Sequence, residues 1–238
     1  PKAHPRYVIS QLKMAEQIAG PCRSARSFVH YAMMAHAEMV RSDLEFYRAQ
    51  KFANSGALLW MYNEPWPCAN WAIVDYYGYL KPAWHAARRA FAPLAVAILM
   101  PGDLAEVYLM NDTLEEASGT LTLRQMTLDG RTLWERRAQG AGPANSSTLV
   151  LAVPRSEMSD TAGSFLRAEW LVGGETLAVN YFPELPKDVP FGMPDVTSRM
   201  VEENLPRAGG FVSKIELVSR NYSRFDLRDE APGAREVF

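Results

Sequence analysis

The chain has 238 residues, of which 48% are hydrophobic and 22% charged, a composition that excludes disorder of the whole chain. Lysine and arginine number 25 against 27 aspartates and glutamates, so the chain lacks the basic surplus of nucleic-acid and anionic-membrane binders. The longest apolar run, residues 91–100, is far shorter than the roughly 20 residues of a membrane helix. We therefore expect neither a nucleic acid nor a membrane as a partner.

The N-terminal part of the sequence carries helical and apolar segments in alternation. Apolar side chains recur at helical spacing over residues 24–52, with Ser24 as the expected N-cap, and a proline opens a second helix over residues 82–91. The continuous apolar run 57–62 predicts a strand buried on both faces, and residues 71–77 are interpreted as extended. This order of elements is typical of an α/β layer.

From Pro93 onward the apolar residues alternate with period two, and turn residues recur at short intervals. This pattern predicts a β-sandwich. Asp129-Gly130 predicts a hairpin closed by a type I′ turn. The residues expected on the inner face are, strand by strand, Ala105, Val107 and Leu109; Leu121 and Leu123; Leu149, Leu151 and Val153; Leu166, Ala168 and Trp170; and Leu177, Val179 and Tyr181.

The last part of the sequence is a proline-rich segment followed by two expected strands. Four prolines in residues 183–196 indicate a linker, and the strands carry Ile215 with Leu217 and Phe225 with Leu227. The changes in pattern divide the chain into residues 1–92, 93–184 and 185–238.

The residues best suited to ligand binding follow the apolar run 57–62. In parallel α/β folds, ligands bind at the carboxyl ends of the strands. Indole rings pack on the apolar faces of sugars, and amide and carboxylate groups bond sugar hydroxyls. The predicted sugar-binding residues are therefore Trp60, Asn63, Glu64 and Trp66. The competing interpretation is that the tryptophans close the end of a core, and we adopt it for Trp71.

The other polar residues do not assemble a catalytic centre. Glycoside hydrolysis usually needs two carboxylates, but Asp75 is interpreted as bonding backbone donors of its own turn. Glu38, Asp43 and Glu45 are interpreted as a solvated helix face. The histidines are too dispersed for a metal pair, and nucleotide and esterase motifs are missing from the sequence. We predict no catalytic residue, metal or cofactor in this chain.

Three strings of the sequence resemble glycoside hydrolase family 2, and most closely its β-mannosidase branch. They are SGALLWMYNEPWP at 55–67, WAIVDYYG at 71–78 and KPAWHAARRAFAP at 81–93. The resemblance implies that residues 1–92 end a (β/α)8 TIM barrel, with helix seven at 24–52, strand eight at 57–62 and helix eight at 82–91. It further implies an immunoglobulin-like β-sandwich over 93–184 and the start of a further β-domain within 185–238.

The resemblance also implies a function. In this family Trp60 matches the tryptophan on the floor of the sugar subsite and is followed by a cis peptide bond, and the two catalytic glutamates lie on earlier barrel strands. The branch often has Asn-Asp where this sequence has Asn63-Glu64, so the identity of the sugar stays open.

We therefore expect the C-terminal portion of a retaining exo-β-glycosidase, inactive alone and completed by the N-terminal remainder of the same enzyme. The alternative is a non-catalytic carbohydrate-binding or structural β-sandwich module. The sequence leaves the cellular location open.

Overall fold

The computed structural model describes residues 5–22, 25–67, 70–190, 198–203 and 212–217. The helices are α1 Pro5–Ala19, α2 Ala25–Ala49 and α3 Pro82–Ala90, with a short 3₁₀ helix at Arg155–Glu157. The strands are β1 Leu94–Leu99, β2 Leu104–Asn111, β3 Ala117–Thr127, β4 Thr132–Gly142, β5 Ser146–Pro154, β6 Ser164–Val172, β7 Glu175–Tyr181, β8 Ser198–Glu203 and β9 Val212–Leu217.

The chain forms two compact units. The first comprises residues 1–37, 59–85 and 191–238, and the second comprises residues 38–58 and 86–190. In the described part of the chain, none of the helices has the length and apolar character to cross a membrane.

The second unit is built around an immunoglobulin-like β-sandwich. One antiparallel sheet has the strand order β1-β2-β5 and the other β4-β3-β6-β7, so the chain passes between the sheets three times. Apolar residues of both sheets form one core, because alternate side chains of each strand point inward. Its fully buried members include Ile98, Val107, Leu109, Leu121, Leu123, Leu166, Ala168 and Trp170. The predicted sandwich is confirmed.

One predicted inner-face residue lies on the outer face. Leu149 is 46% exposed, whereas Leu151 packs against the core. The register between β2 and β5 shifts at this point, since Val107 pairs with Leu151 and Tyr108 with Leu149. The extra residue between them, Val150, is a β-bulge that reverses the phase of the alternation, and the prediction for Leu149 was wrong for that reason.

The hairpin between β3 and β4 forms where the sequence predicts it, but its turn is of another type. Gly130 has a φ of 91°, whereas Asp129 does not belong to the residues with positive φ. A type I′ turn needs positive φ at both central positions. The backbone N–H of Thr127 bonds the carbonyl of Arg131 at 2.9 Å and that of Gly130 bonds the carbonyl of Thr127 at 2.9 Å, so the loop is longer than two residues.

Glycines let the strands approach the buried Trp170. A Cβ atom added at Gly119 would stand 3.0 Å from Trp170 Nε1, and one added at Gly140 would stand 3.4 Å from the same atom. At Gly119 the added atom would also lie 2.0 Å from the carbonyl oxygen of Leu171, which belongs to the backbone and cannot rotate away. The indole and the Leu171 carbonyl therefore leave little room for a side chain at Gly119, whereas at Gly140 the methyl group of Leu109, 2.6 Å from an added Cβ atom, is the obstacle.

The end of α2 is tied to the sandwich within the second unit. Arg48 Nη2 donates to Asp112 at 2.9 Å, and Lys51 Nζ donates to the other oxygen of the same carboxylate. Lys51 also donates to Asn145 at 3.1 Å, and the Ser147 hydroxyl donates to the carbonyl of Arg48 at 2.6 Å. The helix ends at Ala49, earlier than the predicted residue 52.

Glu45 of α2 is buried, not part of a solvated face as the sequence predicted. Its carboxylate accepts a hydrogen bond from Arg41 at 2.5 Å, and the Arg41 guanidinium lies 6.0 Å from the ring centre of Tyr181. Burial raises the pKa of Glu45 to about 7, although the charge of Arg41 opposes the shift. The spacing of apolar residues in α2 predicted that Glu45 faces water. The prediction was wrong because part of the polar side of this helix packs within the second unit.

Residues 57–62 are not the buried strand that the apolar run predicts, and residues 71–77 are not an extended strand. Leu58 is fully exposed, and only single bridges at Asn63, Val74 and Leu80 are formed. A parallel strand needs a hydrogen-bonded neighbour along its length, but among the described residues only Met61 and Tyr62 of this run are bonded in this way, through their carbonyls to Ile73 N and Val74 N. The barrel end therefore stays a prediction.

The remaining elements match the sequence in part. Helix α3 confirms the predicted helix over 82–91, while α1 was not predicted. The strands β8 and β9 pair antiparallel, and β9 contains Ile215 and Leu217 as expected. The N-cap Ser24 and the strand with Phe225 and Leu227 lie outside the described residues.

We predict that Gly119→Ala destabilises the chain by about 1–3 kcal/mol or more, because the added methyl group collides with the Leu171 carbonyl. Gly56→Ala is the matched control, since nothing lies within 4 Å of a Cβ atom there. Urea unfolding followed by circular dichroism measures both. Equal midpoints for the two variants would contradict the predicted close approach.

We predict that Asp112→Asn lowers the free energy of unfolding at neutral pH. The free energy of unfolding of this variant should also fall less than that of wild type as the pH is lowered. Burial raises the pKa of Asp112, but the hydrogen bond from Lys51 and the charges of Arg48 and Lys51 outweigh it and hold the pKa below its ordinary value. This stabilisation is present above the unfolded-state pKa of about 3.9 and is lost as the pH falls through the folded-state value.

Unfolding midpoints of wild type and Asp112→Asn between pH 7 and pH 2 test this pH dependence. The two should differ at pH 7 and converge at the acid end. The exposed Asp103→Asn serves as the control. A constant difference across this range would refute the assignment to the ionised carboxylate.

Candidate functional site

The segment that carries the predicted sugar-binding residues is held by backbone hydrogen bonds to residues 73 and 74. Ile73 N donates to the carbonyl of Tyr62 at 3.1 Å, and Val74 N donates to the same carbonyl at 2.9 Å. Glu64 N in turn donates to the carbonyl of Val74 at 3.1 Å. The peptide bond between Trp60 and Met61 is cis, as the family resemblance implies. The three backbone hydrogen bonds to residues 73 and 74 hold residues 61–64 in place, although no continuous strand is formed.

Three of the four predicted sugar-binding residues are exposed. Trp60 is 79% exposed and Trp66 is 58% exposed, and Asn63 lies between them in the sequence with an exposed side chain. The exposed indoles are apolar surfaces and the exposed amide is a hydrogen-bonding group, which are the two features that bind a sugar.

Trp71 does not close a core, contrary to its interpretation from the sequence, since it is 38% exposed. The buried side chains that follow it are those of Ala72, Ile73 and Val74. These smaller residues fill the interior, so the tryptophan is left at the surface.

The fourth predicted residue, Glu64, occupies a different environment. It is 5% exposed, and its carboxylate forms an ion pair with the ammonium group of Lys81. Lys81 N donates to the carbonyl of Ile73 at 3.0 Å, so the same lysine is also fixed through its backbone. The structure thus places Asn63 and Glu64 on opposite sides of the segment, one toward solvent and one toward Lys81.

Asp75 has the structural role that the sequence predicts. Its Oδ1 accepts hydrogen bonds from the backbone N–H groups of Tyr77 and Tyr79, both at 2.8 Å. These two bonds shape the turn between Val74 and Lys81. The carboxylate of Asp75 is thereby committed to the backbone, which agrees with its exclusion as a catalytic partner.

Sequence reasoning assigned no role to Lys81. The residue belongs to the string that resembles the family, but neither its type nor its spacing points to Glu64, which lies 17 positions earlier in the chain. Burial lowers the pKa of His36, and the charge of Lys81 lowers it further, so the neutral imidazole is favoured.

Among the residues with described side chains, no three histidine, cysteine, aspartate or glutamate groups converge as a metal site.

The profile of the mannosidase Ig/CBM-like domain matches residues 103–188, which contain most of the sandwich. The chain is 25% identical to β-mannosidase B of Aspergillus flavus over 96% of its own length and 28% of the length of that protein. It is 26% identical to an exo-β-D-glucosaminidase of Amycolatopsis orientalis over 64% of the chain and 15% of that protein. The chain therefore spans about a quarter or less of these curated relatives.

Among solved structures, a β-D-mannosidase from Dictyoglomus thermophilum superposes with a TM-score of 0.71 and 23% identity. The match covers 82% of this chain and 24% of that one, and it shows a shared fold. Sequence and fold comparisons agree with the strings found at 55–67, 71–78 and 81–93. The resemblance to the β-mannosidase-like branch of glycoside hydrolase family 2 is confirmed, and residues 103–188 match the mannosidase Ig/CBM-like domain.

Proposed function

We propose that this chain is the C-terminal portion of a retaining exo-β-glycosidase that hydrolyses terminal β-linked sugars, with a β-mannoside as the first candidate substrate. The observation that carries the proposal is the exposed Trp60 beside Asn63 on a hydrogen-bonded segment, in a chain that aligns over 96% of its length with a β-mannosidase. A retaining mechanism uses an acid/base carboxylate and a nucleophilic carboxylate about 5–5.5 Å apart. Both belong to the part of the enzyme that precedes this chain.

In this proposal the chain supplies one wall of the sugar site. Trp60 stacks on the apolar face of the sugar ring, and Asn63 donates or accepts hydrogen bonds with its hydroxyl groups. Trp66 extends the aromatic surface beyond Asn63. Glu64 belongs to the same site through its place in the segment, next to Asn63 and against Lys81. The chemistry needs no metal or cofactor.

The partner that we propose is the N-terminal remainder of the same enzyme. Leu58 and Trp60 expose apolar area on a segment with few backbone partners of its own. Barrel strands supplied by the remainder would pair with residues 57–62 and cover Leu58, while the indole of Trp60 stays open to the sugar. Within the chain, we propose barrel residues at 1–92, the sandwich at 93–184 and the linker with part of a second sandwich at 185–238.

A second candidate is a carbohydrate-binding or structural module without catalysis. The description of the matched family as Ig/CBM-like, over the sandwich residues 103–188, favours it. The two functions differ in where sugar binds. Binding at Trp60 supports the glycosidase, whereas saturable binding by the sandwich in a Trp60→Ala variant supports the module.

We predict that Trp60→Ala in the complete enzyme lowers kcat/KM by about 10- to 100-fold, equivalent to about 1.4–2.8 kcal/mol of lost transition-state binding. The measurement is hydrolysis of the nitrophenyl β-mannoside, β-glucosaminide, β-galactoside and β-glucuronide. The β-glucosaminide is included because one relative is an exo-β-D-glucosaminidase.

Leu114→Ala is the control for this measurement, because Leu114 is an equally exposed apolar residue on the sandwich. The control should leave kcat/KM unchanged. Full activity of Trp60→Ala on the best substrate would remove this tryptophan from the sugar site, and inactivity of wild type on all four would reject the glycosidase.

A further inference from the structure

We propose that Lys81 is a positioning residue of the sugar site: through its ion pair with Glu64 it holds residues 60–64 in the conformation that presents Trp60 and Asn63. This inference rests on the proposed function, because it concerns how the same wall of the site is kept in place. It assigns Glu64 to the support of the segment and leaves contact with sugar to its exposed neighbours.

The burial of the pair is the first step of the argument. The side chain of Glu64 is 4% exposed and that of Lys81 is 16% exposed. Removing one partner of a buried ion pair leaves an uncompensated charge out of water, which is strongly unfavourable. A conformation of residues 60–64 that withdrew Glu64 from Lys81 would leave the largely buried lysine ammonium without its counter-charge, so the pair favours conformations that keep the two together.

The backbone around the pair makes the restriction local. Lys81 N donates to the carbonyl of Ile73 at 3.0 Å, and Glu64 N donates to the carbonyl of Val74 at 3.1 Å. Both partners are therefore anchored to adjacent residues of one short segment. Lys81 directly precedes α3, and its carbonyl accepts from Trp84 N in the first turn of that helix at 2.9 Å. The ion pair closes a ring that joins the start of a helix to the segment carrying the exposed indole.

The orientation of the side chains separates the two roles. Trp60 and Asn63 are exposed and free to meet a ligand, whereas the Glu64 carboxylate faces Lys81 in the interior. A carboxylate that bonded a sugar hydroxyl would have to leave this environment or share it with the sugar. The fixed geometry matters for rate, because misplacing a binding group by about 1 Å can cost about 100-fold.

A double-mutant cycle in the complete enzyme tests the inference, with kcat/KM on its best nitrophenyl glycoside as the measurement. Lys81→Met should lower kcat/KM by about 100-fold in the wild-type background, but by at most about tenfold in the Trp60→Ala background. If Lys81 acts by placing Trp60 and Asn63, only the placement of Asn63 is left to disturb once the indole is gone. A general loss of folded enzyme would lower activity by the same factor in both backgrounds.

The controls address folding and charge. Lys187→Met removes an exposed lysine of the proline-rich segment and should leave kcat/KM unchanged. Lys81→Arg keeps the positive charge and should restore at least a tenth of the wild-type value. If Lys81→Met does not fold by circular dichroism, the neutral pair Glu64→Gln with Lys81→Met replaces it in the same cycle, with the same expected factors.

Two results would overturn the inference while the wild-type enzyme is active. One is a kcat/KM of Lys81→Met within threefold of wild type, and the other is an equal loss in both backgrounds. Inactivity of the wild-type enzyme on every glycoside is a separate result, because it rejects the proposed function before the cycle is measured.

Discussion

Residues 60–64 depend on a handful of hydrogen bonds and one buried ion pair. No continuous sheet holds them within the described residues, yet the carbonyl of Tyr62 accepts two backbone bonds and Glu64 contributes both its N–H and its carboxylate. A segment with so few hydrogen bonds would lose little free energy by changing its conformation. The buried ion pair between Glu64 and Lys81 opposes such a change, because separating the two charges is unfavourable. The exposure of Trp60 and Asn63 follows from this constraint, since the inward positions are occupied by Glu64 and its lysine.

The sandwich obtains its order from a different source. Its strands pair over most of their length, and the alternation of side chains places a continuous apolar core between the two sheets. Trp170 is fully buried in that core, and there is little room for a side chain at Gly119, next to the indole and the Leu171 carbonyl, or at Gly140, next to Leu109. Dense packing of this kind tolerates little change in volume, so the sandwich is a rigid part of the chain.

Charged groups join α2 to the sandwich within the second unit. Arg48 and Lys51 share the carboxylate of Asp112, and Arg41 lies between Glu45 and the ring of Tyr181. Arg41 and Arg48 lie in α2 and Lys51 just beyond its end, whereas Asp112 directly follows β2 and Tyr181 belongs to β7. Such contacts orient elements more than they stabilise them, because desolvation offsets much of the attraction between paired charges.

The sequence by itself determined the local patterns: the period-two strands, the helix that begins at Pro82, the turn role of Asp75 and the family resemblance carried by residues 55–93. Each depends on neighbours close in the chain, so propensity and spacing reveal it. The tertiary structure decided what depends on distant residues. The bulge that exposes Leu149, the burial of Glu45 and the pairing of Glu64 with Lys81 leave no mark in local spacing, because each results from packing between segments that the sequence separates.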